Sequence, residues 1–386
     1  MNINLDNNAT TFIDKRVILK IKESMENVHG NPSSAHDLGK EASMRIEKSR
    51  ELIMKELGIT EDYGTLIFTS GATESNNIVI LGLAETYEAS KKCFISTLIE
   101  HPCVLNAYRA LQNKKFHNIR YIKVDEYGLI NKKSLETILK QHKVLLASII
   151  YANHEIGTIQ EIKELARLCH KYNTLIHIDA TQAIGKIPVN LKNLEVDYAS
   201  FSGHKFYGPK GIGGLFIKNT VIKPKQIIYG GNQEFFLRPG TQNVHAIEGM
   251  ALALQLANKE MNDFIKCELQ LKDFLISNLK KLNDKIPKFK INGHPHLVLP
   301  GTISITFIEN NVNATKLVNW LSNKKHIYIS RGSACKAQSK TGSDVLRAIG
   351  LSPIQMQSTI RIGIGKQNTQ LDIDYFIYSL IEFFSH

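Results

Sequence analysis

Two residues of this sequence, a lysine and a cysteine, sit where covalent chemistry is plausible. Lys205 lies in SFSGHKFYGPKGIGG (200–214), a loop-like stretch with few competing charges. Taking a lysine out of water lowers its pKa, and the neutral amine forms a Schiff base with an aldehyde. Most lysines are solvated surface charge. Here Phe201, Phe206 and Tyr207, with Gly203, Gly208 and Gly211, argue for a crowded, buried position. Cys335 lies in SRGSACKAQSKTGS (330–343), whose small and polar residues describe an exposed loop. Arg331 and Lys336 nearby favour its thiolate, the nucleophilic form. Taken alone, it reads equally well as an incidental surface thiol.

Four further motifs carry groups that can grip or polarise a ligand. Asp179 ends an apolar run in HIDATQAIG (177–185), and a carboxylate there needs a hydrogen bond or a counter-charge. A pyridinium nitrogen is one such partner, since the pairing keeps the ring protonated and able to act as an electron sink. Capping a short helix is the other reading. Gln182, three residues on, reaches the same ligand from the turn. SGATESNN (70–77) offers hydroxyls and free backbone N–H groups where a helix begins, which is either a phosphate site or an ordinary Ser/Thr cap. His101, in IEHPCV (99–104), is either a satisfied structural histidine or a ring that stacks on a flat cofactor and moves protons. In STIRIGIG (358–365) Ile360, Ile362 and Ile364 share one strand face while Arg361 points to the other. An arginine so placed suits bidentate capture of a carboxylate, or a strand-edge salt bridge.

The elements that must position these residues alternate. GTLIFT (64–69), KCFIS (92–96), VLLASII (144–150), TLIHID (174–179), YASFS (198–202) and GGLFI (213–217) read as strands, with helix-like segments such as 75–89 and 161–172 between them. That order predicts a mostly parallel sheet covered by helices on both faces. Ligands of such sheets gather beyond the carboxyl ends of the strands, where Thr69–Thr73, Asp179–Gln182 and Ser202–Lys205 fall. After a long helix-like stretch, roughly 248–283, come FKING (289–293), TISITF (302–307), HIYIS (326–330) and STIRIGIG, a smaller α+β pattern. The expected division is a large domain over 14–261 and a small one made of 1–13 and 262–386, which carries the Cys335 loop and Arg361.

Bulk composition narrows the classes further. A chain of 386 residues, 43% hydrophobic and 22% charged, suits a globular enzyme with a sizeable core. No apolar run approaches the roughly 18 residues that span a bilayer, and MNINLDNNATT has no signal-like apolar stretch, so a cytoplasmic location is expected. The five cysteines form no CxxC pair and no zinc-ligand spacing. No metal is expected, and four of the cysteines read as plain buried small hydrophobes. The net charge of +12 is spread along the chain without a long basic run. It favours acidic partners and anions over direct nucleic-acid binding.

Taken together, LDNNATT (5–11), HGNPSSAHDLG (29–39), SGATESNN, EHPCV, ANHEIGTIQ (152–160), HIDATQAIG, SGHKFYGPKGIG, RPGTQN (238–243), GSAC and IRIGIG resemble the cysteine desulfurases of the NifS/IscS type. These are class V aminotransferase-like, fold type I pyridoxal-phosphate (PLP) enzymes, and the resemblance runs nearly end to end. It implies an α/β fold in which a large domain with a mostly parallel seven-stranded sheet joins a smaller α+β domain. It implies PLP on Lys205, with Asp179 at the pyridine nitrogen, Gln182 at the ring hydroxyl and His101 stacked on the ring. Ala72, Thr73, Ser202 and His204 would hold the phosphate. Thr241 would reach the phosphate of the other subunit's cofactor, which implies a homodimer. Asn153, beside the cofactor, and Arg361 would grip the substrate. L-cysteine would yield L-alanine and a persulfide on Cys335, with Lys205 and His101 as proton carriers. The sulfur would pass to an acceptor protein for iron–sulfur cluster assembly or tRNA thiolation. About 25 residues follow Arg361, fewer than in members whose longer tail holds a scaffold protein, so such docking is not implied. Cys103 reads as a helix-packed neighbour of His101. Rival readings are a selenocysteine lyase or another fold type I PLP enzyme, and a non-enzymatic tRNA- or partner-binding protein. The set Lys205, Asp179, His101, Arg361 and Cys335 speaks against the second.

Overall fold

A computed structural model describes residues 2–86, 93–113, 118–282, 285–309, 312–332 and 342–385. Cys335 lies outside them. Thirteen strands make up the described sheets: β1 (Ile3–Asn4), β2 (Gly64–Thr69), β3 (Cys93–Thr97), β4 (Asn118–Ile122), β5 (Val144–Ile150), β6 (Leu175–Asp179), β7 (Tyr198–Ser202), β8 (Gly213–Lys218), β9 (Phe289–Asn292), β10 (Thr302–Phe307), β11 (Ile327–Tyr328), β12 (Ser330–Arg331) and β13 (Thr359–Gly363).

The main sheet has seven strands in the order β2-β8-β7-β6-β5-β3-β4. β4, β3, β5, β6 and β7 pair in parallel, while β8 runs antiparallel to both β7 and β2. The mostly parallel seven-stranded sheet is therefore present. Every residue of β5, VLLASII, is buried, as expected for a strand covered on both faces. The seventh strand, β4, has no counterpart among the six apolar runs of the sequence. It is an edge strand whose residues alternate between exposed and buried, so its apolar signal is thin.

A second, four-stranded antiparallel sheet has the order β12-β13-β10-β9, and β1 pairs in parallel with β11 beside it. Ile303 and Ile305 of β10 and Ile360 and Ile362 of β13 fill a second core on one face. The intervening Ser304 and Arg361 stand opposite each other on the other face. The helix Val244–Lys281 serves both cores, giving Ile247, Met250 and Leu254 to the large-sheet cluster and Leu271, Leu275 and Leu279 to the second. Its Cys267 is on the solvent side and exposed, which departs from the expectation of a buried cysteine; Cys93 and Cys169 are buried.

The first dozen residues strap the two sheets together. Beyond the β1–β11 pair, Asn7 donates to the Gly363 carbonyl through its backbone N–H (3.1 Å) and its Nδ2 (2.9 Å). The Thr11 backbone N–H donates to the His204 carbonyl at 3.1 Å. Among the described residues no helix is long and apolar enough to cross a membrane, and no group of acidic, histidine or cysteine side chains is arranged to hold a metal ion.

Candidate active site

The carboxyl ends of β6 and β7 and the loops after β2 and β3 open onto one cavity of about 260 Å³. Asn8, Ala9 and Arg361 form part of its remaining wall.

Lys205 reaches this cavity on a single 3-10 turn, Gly203–Lys205, that follows β7 directly. Its Nζ donates to the carbonyls of Asn8 and Ala9, both at 2.7 Å. Phe201 and Phe206 on either side are fully buried, the crowding that the sequence pattern calls for, but Lys205 itself is half-buried rather than buried.

Asp179 is the last residue of β6 and is 3% exposed. Its Oδ2 accepts from Asn76 Nδ2 at 2.9 Å and its Oδ1 from the Thr181 backbone N–H at 3.0 Å. Both donors are neutral, so the carboxylate carries its charge into the cavity wall without a cation from these two groups. Asn76 stands on the buried side of the helix Ala72–Thr86. Together with Val79, Ile80 and Leu83 it follows the i, i+3, i+4, i+7 spacing of a core stripe. A polar residue at such a position is the signal that could have marked it.

The same helix begins at the cavity. The Ala72 backbone N–H donates to Ser202 Oγ at 2.7 Å, and Thr73 lies beside it on the cavity wall. Gly71, at φ +153°, keeps the turn close, since a Cβ there would lie 3.2 Å from Ser202 Oγ. His204 completes this corner with Nδ1 3.2 Å from Thr10 Oγ1; burial and the nearby lysines push its pKa down to about 4. A helix N-terminus with a hydroxyl and an imidazole beside it suits an anion.

His101 precedes the helix Pro102–Asn113. The Cys103 backbone N–H donates to its Nδ1 at 3.3 Å, which places the proton of the neutral ring on Nε2. Burial, with His154 and Lys205 nearby, pushes His101 down to about 4 despite the opposing charge of Asp179. Its ring meets that of His154 edge-on, 5.3 Å between centroids. Cys103 also lines the cavity, with Sγ 3.0 Å from His101 Nδ1 and 3.1 Å from Asn76 Nδ2. Burial pushes this thiol up to about 12, so it holds its proton and is a poor nucleophile.

Arg361 is 2% exposed. β13 lies between β12 and β10, so the residue is not on a sheet edge. Nη2 donates to Asp6 Oδ1 at 2.6 Å and Nη1 to the His154 carbonyl at 3.0 Å, while Nε is buried without a partner among the described residues. The ion pair and the cavity-facing guanidinium coexist in one side chain. Thr181 Oγ1 and His154 Nδ1, on the same cavity wall, are likewise buried and unpartnered among the described residues. Buried polar groups are rarely left so, and their concentration here marks a cavity shaped for a polar ligand.

Gln182 is at the cavity wall too, with Nε2 donating to the Asn8 carbonyl at 2.9 Å. Two expected residues are not. Asn153 is fully buried, donating to the Ile99 carbonyl at 2.9 Å and accepting from the backbone N–H groups of Glu155 and Ile156. It braces the turn that presents His154. Thr241 is exposed, in the turn before the helix Val244–Lys281. Asn8, Ala9, Asp6, Asn76 and His154 were not singled out from the sequence, because distant segments bring them to the site.

A family model, Aminotransferase class-V, matches residues 3–376. The chain is 38% identical over 370 residues to cysteine desulfurase IscS of Methanosarcina thermophila, covering 96% of this chain and 89% of that one. Against the human cysteine desulfurase it is 37% identical over 380 residues, 98% of this chain and 80% of the relative. Among solved structures, a NifS-like protein superposes with a TM-score of 0.90 at 39% identity over the full length of both chains. One titled SspA in complex with cysteine gives a TM-score of 0.80 at 30% identity, covering 96% of this chain and all of that one. With family, relatives and fold agreeing over nearly the whole length, the chain belongs to the cysteine desulfurases of the aminotransferase class-V family.

Proposed function

We propose that the cavity binds PLP and that the protein moves the sulfur of L-cysteine onto Cys335, releasing L-alanine. One observation carries this reading: an amine, a buried carboxylate, a helix N-terminus and an unsaturated guanidinium, from Lys205, Asp179, Ala72 and Arg361, surround one cavity.

The residues fit the cofactor. Asp179, supplied here by neutral donors, would take the ring nitrogen, and the Ala72–Thr73 helix start with Ser202 and His204 would take the phosphate. His101 would cover the ring and Gln182 would face its hydroxyl. The orphaned Thr181 Oγ1 is a further polar contact in want of a partner. When bound, PLP supplies the electron sink that lets bonds beside the substrate amine break.

The side chains do the rest. Arg361 binds the substrate carboxylate through the donor that protein groups leave open. Lys205 Nζ, held on two carbonyls, takes the α-proton and returns a proton. His101, neutral above about pH 4, relays a proton at Nε2. The Cys335 thiolate attacks the substrate sulfur: an S–S bond forms, the C–S bond breaks, and the electron pair left on carbon takes a proton to give alanine.

The same reading includes a large domain of 14–261 with a small one of 1–13 and 262–386, a cytoplasmic location, and a homodimer in which Thr241 turns to the partner's phosphate. It ends with transfer of the sulfur to an acceptor protein serving iron–sulfur assembly or tRNA thiolation; the +12 charge suits an acidic acceptor. Purified protein should be yellow and release sulfide and alanine in equal amounts from L-cysteine with a thiol reductant. Cys335→Ser should keep the colour and lose the sulfide. Desulfuration by Cys335→Ser at the normal rate would overturn the role given to Cys335.

A further inference from the structure

Behind Gln182 lies a lysine that the reaction above does not use. Lys186 follows Gln182 by four residues, and its Nζ donates to Gln182 Oε1 at 2.5 Å. On the other side Gln182 Nε2 donates to the Asn8 carbonyl at 2.9 Å. That same carbonyl accepts from Lys205 Nζ at 2.7 Å. Gln182 is 3% exposed, while Lys186 and Lys205 are half-buried.

The arrangement has one polarity. A backbone carbonyl only accepts, so Nε2 must face Asn8, and Lys186, a donor, must face Oε1. The carbonyl oxygen of the amide is thereby occupied, and one N–H of Nε2 is left for the cavity. Without Lys186 the amide keeps the Asn8 carbonyl as its anchor at Nε2, but Oε1 loses the donor that fixes the plane of the amide. Burial lowers the pKa of Lys186 to about 7; Lys205 adds to that shift, Glu268 opposes it and Arg361 adds a little more.

Resting on the PLP reading, we infer that Lys186 is a positioning residue: it pins the Gln182 amide at Oε1, so that the Nε2 proton not given to Asn8 is held toward the ring oxygen of the cofactor. A donor there stabilises the ring oxygen as an anion and lowers the pH at which the bound cofactor changes its visible absorption.

The experiment compares PLP-reconstituted wild type with Lys186→Met, Lys186→Arg, Gln182→Met and the Lys186→Met/Gln182→Met double variant. Affinity for PLP and the pH midpoint of the visible absorption change are both read. Lys186→Met should weaken PLP binding about tenfold, the worth of one hydrogen bond, and raise the midpoint by roughly one pH unit. Lys186→Arg, still a donor, should restore most of both. Gln182→Met should reproduce the shift, and adding Lys186→Met to it should change nothing further. A Lys186→Met protein with wild-type affinity and midpoint overturns the inference. So does an equal Lys186→Met shift in the Gln182→Met background. A wild-type protein that takes up no PLP overturns the functional reading, and this inference with it.

Discussion

Asn76 donates its side-chain amide to Asp179, with Nδ2 and Oδ2 2.9 Å apart, so one turn of helix holds the carboxylate at the end of the central strand. Among the described residues only the Thr181 backbone N–H, at 3.0 Å on the other oxygen, shares that work. Asn76→Ala should leave one carboxylate oxygen buried and short of a donor, costing roughly 1–3 kcal/mol. Urea denaturation of the two proteins checks this; an unchanged midpoint would show that Asp179 does not depend on Asn76.

His177 makes stability depend on pH. Its ring is fully buried between Ser148 Oγ (3.1 Å) and Ser200 Oγ (2.9 Å), and burial pushes its pKa down to about 4. Unfolding restores a value near 6.5, so between about pH 6.5 and 4 the unfolded chain binds a proton that the native one refuses. Stability from this group is complete above about 6.5 and is lost as the pH falls through that window, by about 1.4 kcal/mol per pH unit. His101 and His204 shift in the same direction. Thermal melts at pH 7.5, 6 and 5 should descend, and His177→Asn should flatten the series. An equally steep series in His177→Asn would remove His177 from the explanation.

The Asp6–Arg361 pair joins the first residues to an inner strand of the second sheet. Asp6→Ala should destabilise the protein by roughly 2–4 kcal/mol, because it leaves a guanidinium buried with one fewer partner. Arg361→Lys cannot reproduce the planar fork. Its KM for L-cysteine should rise at least tenfold, by about the worth of one charged hydrogen bond. Steady-state kinetics decide it: a kcat defect with unchanged KM would argue against carboxylate binding by Arg361.

Glu234 anchors a strained turn. Glu234, Phe235 and Phe236 have φ of 47°, 57° and 65°, a left-handed run that side-chain-bearing residues avoid. The buried Glu234 carboxylate holds it, meeting Arg50 at 2.9 and 3.0 Å and accepting from the Phe68 backbone N–H at 2.8 Å. Glu234→Ala should cost about 3–5 kcal/mol, the usual result of stranding one partner of a buried pair. A loss below about 1 kcal/mol in chemical denaturation would mean that the turn holds itself.

What the sequence revealed and what it hid divide along physical lines. Asp179, Lys205 and the Ala72 helix start were legible because each follows an apolar strand, and the strand-end rule needs only local pattern. Arg361 was legible from the alternation of Ile360, Ile362 and Ile364. The edge strand β4 was missed because Asn118 and Arg120 are exposed and leave it only two buried apolar residues, Ile119 and Ile122. Asp6, Asn8, Asn76 and His154 were missed because a hydrogen bond between distant segments leaves no periodic trace. Asn153 shows the converse: its motif was visible, but its amide bonds the backbone of Ile99, Glu155 and Ile156.

The strap formed by the first dozen residues bears on how this protein is made. Asp6 and Arg361 are 355 positions apart, so the segment that carries Asp6 must wait for a strand synthesised 355 residues later. Until then Asp6 has no guanidinium beside it. Contacts of such separation close the longest loops and form slowly. A nascent chain can therefore assemble the large sheet early and still be inactive, with the active site completed only when the Asp6 segment and the Arg361 strand meet.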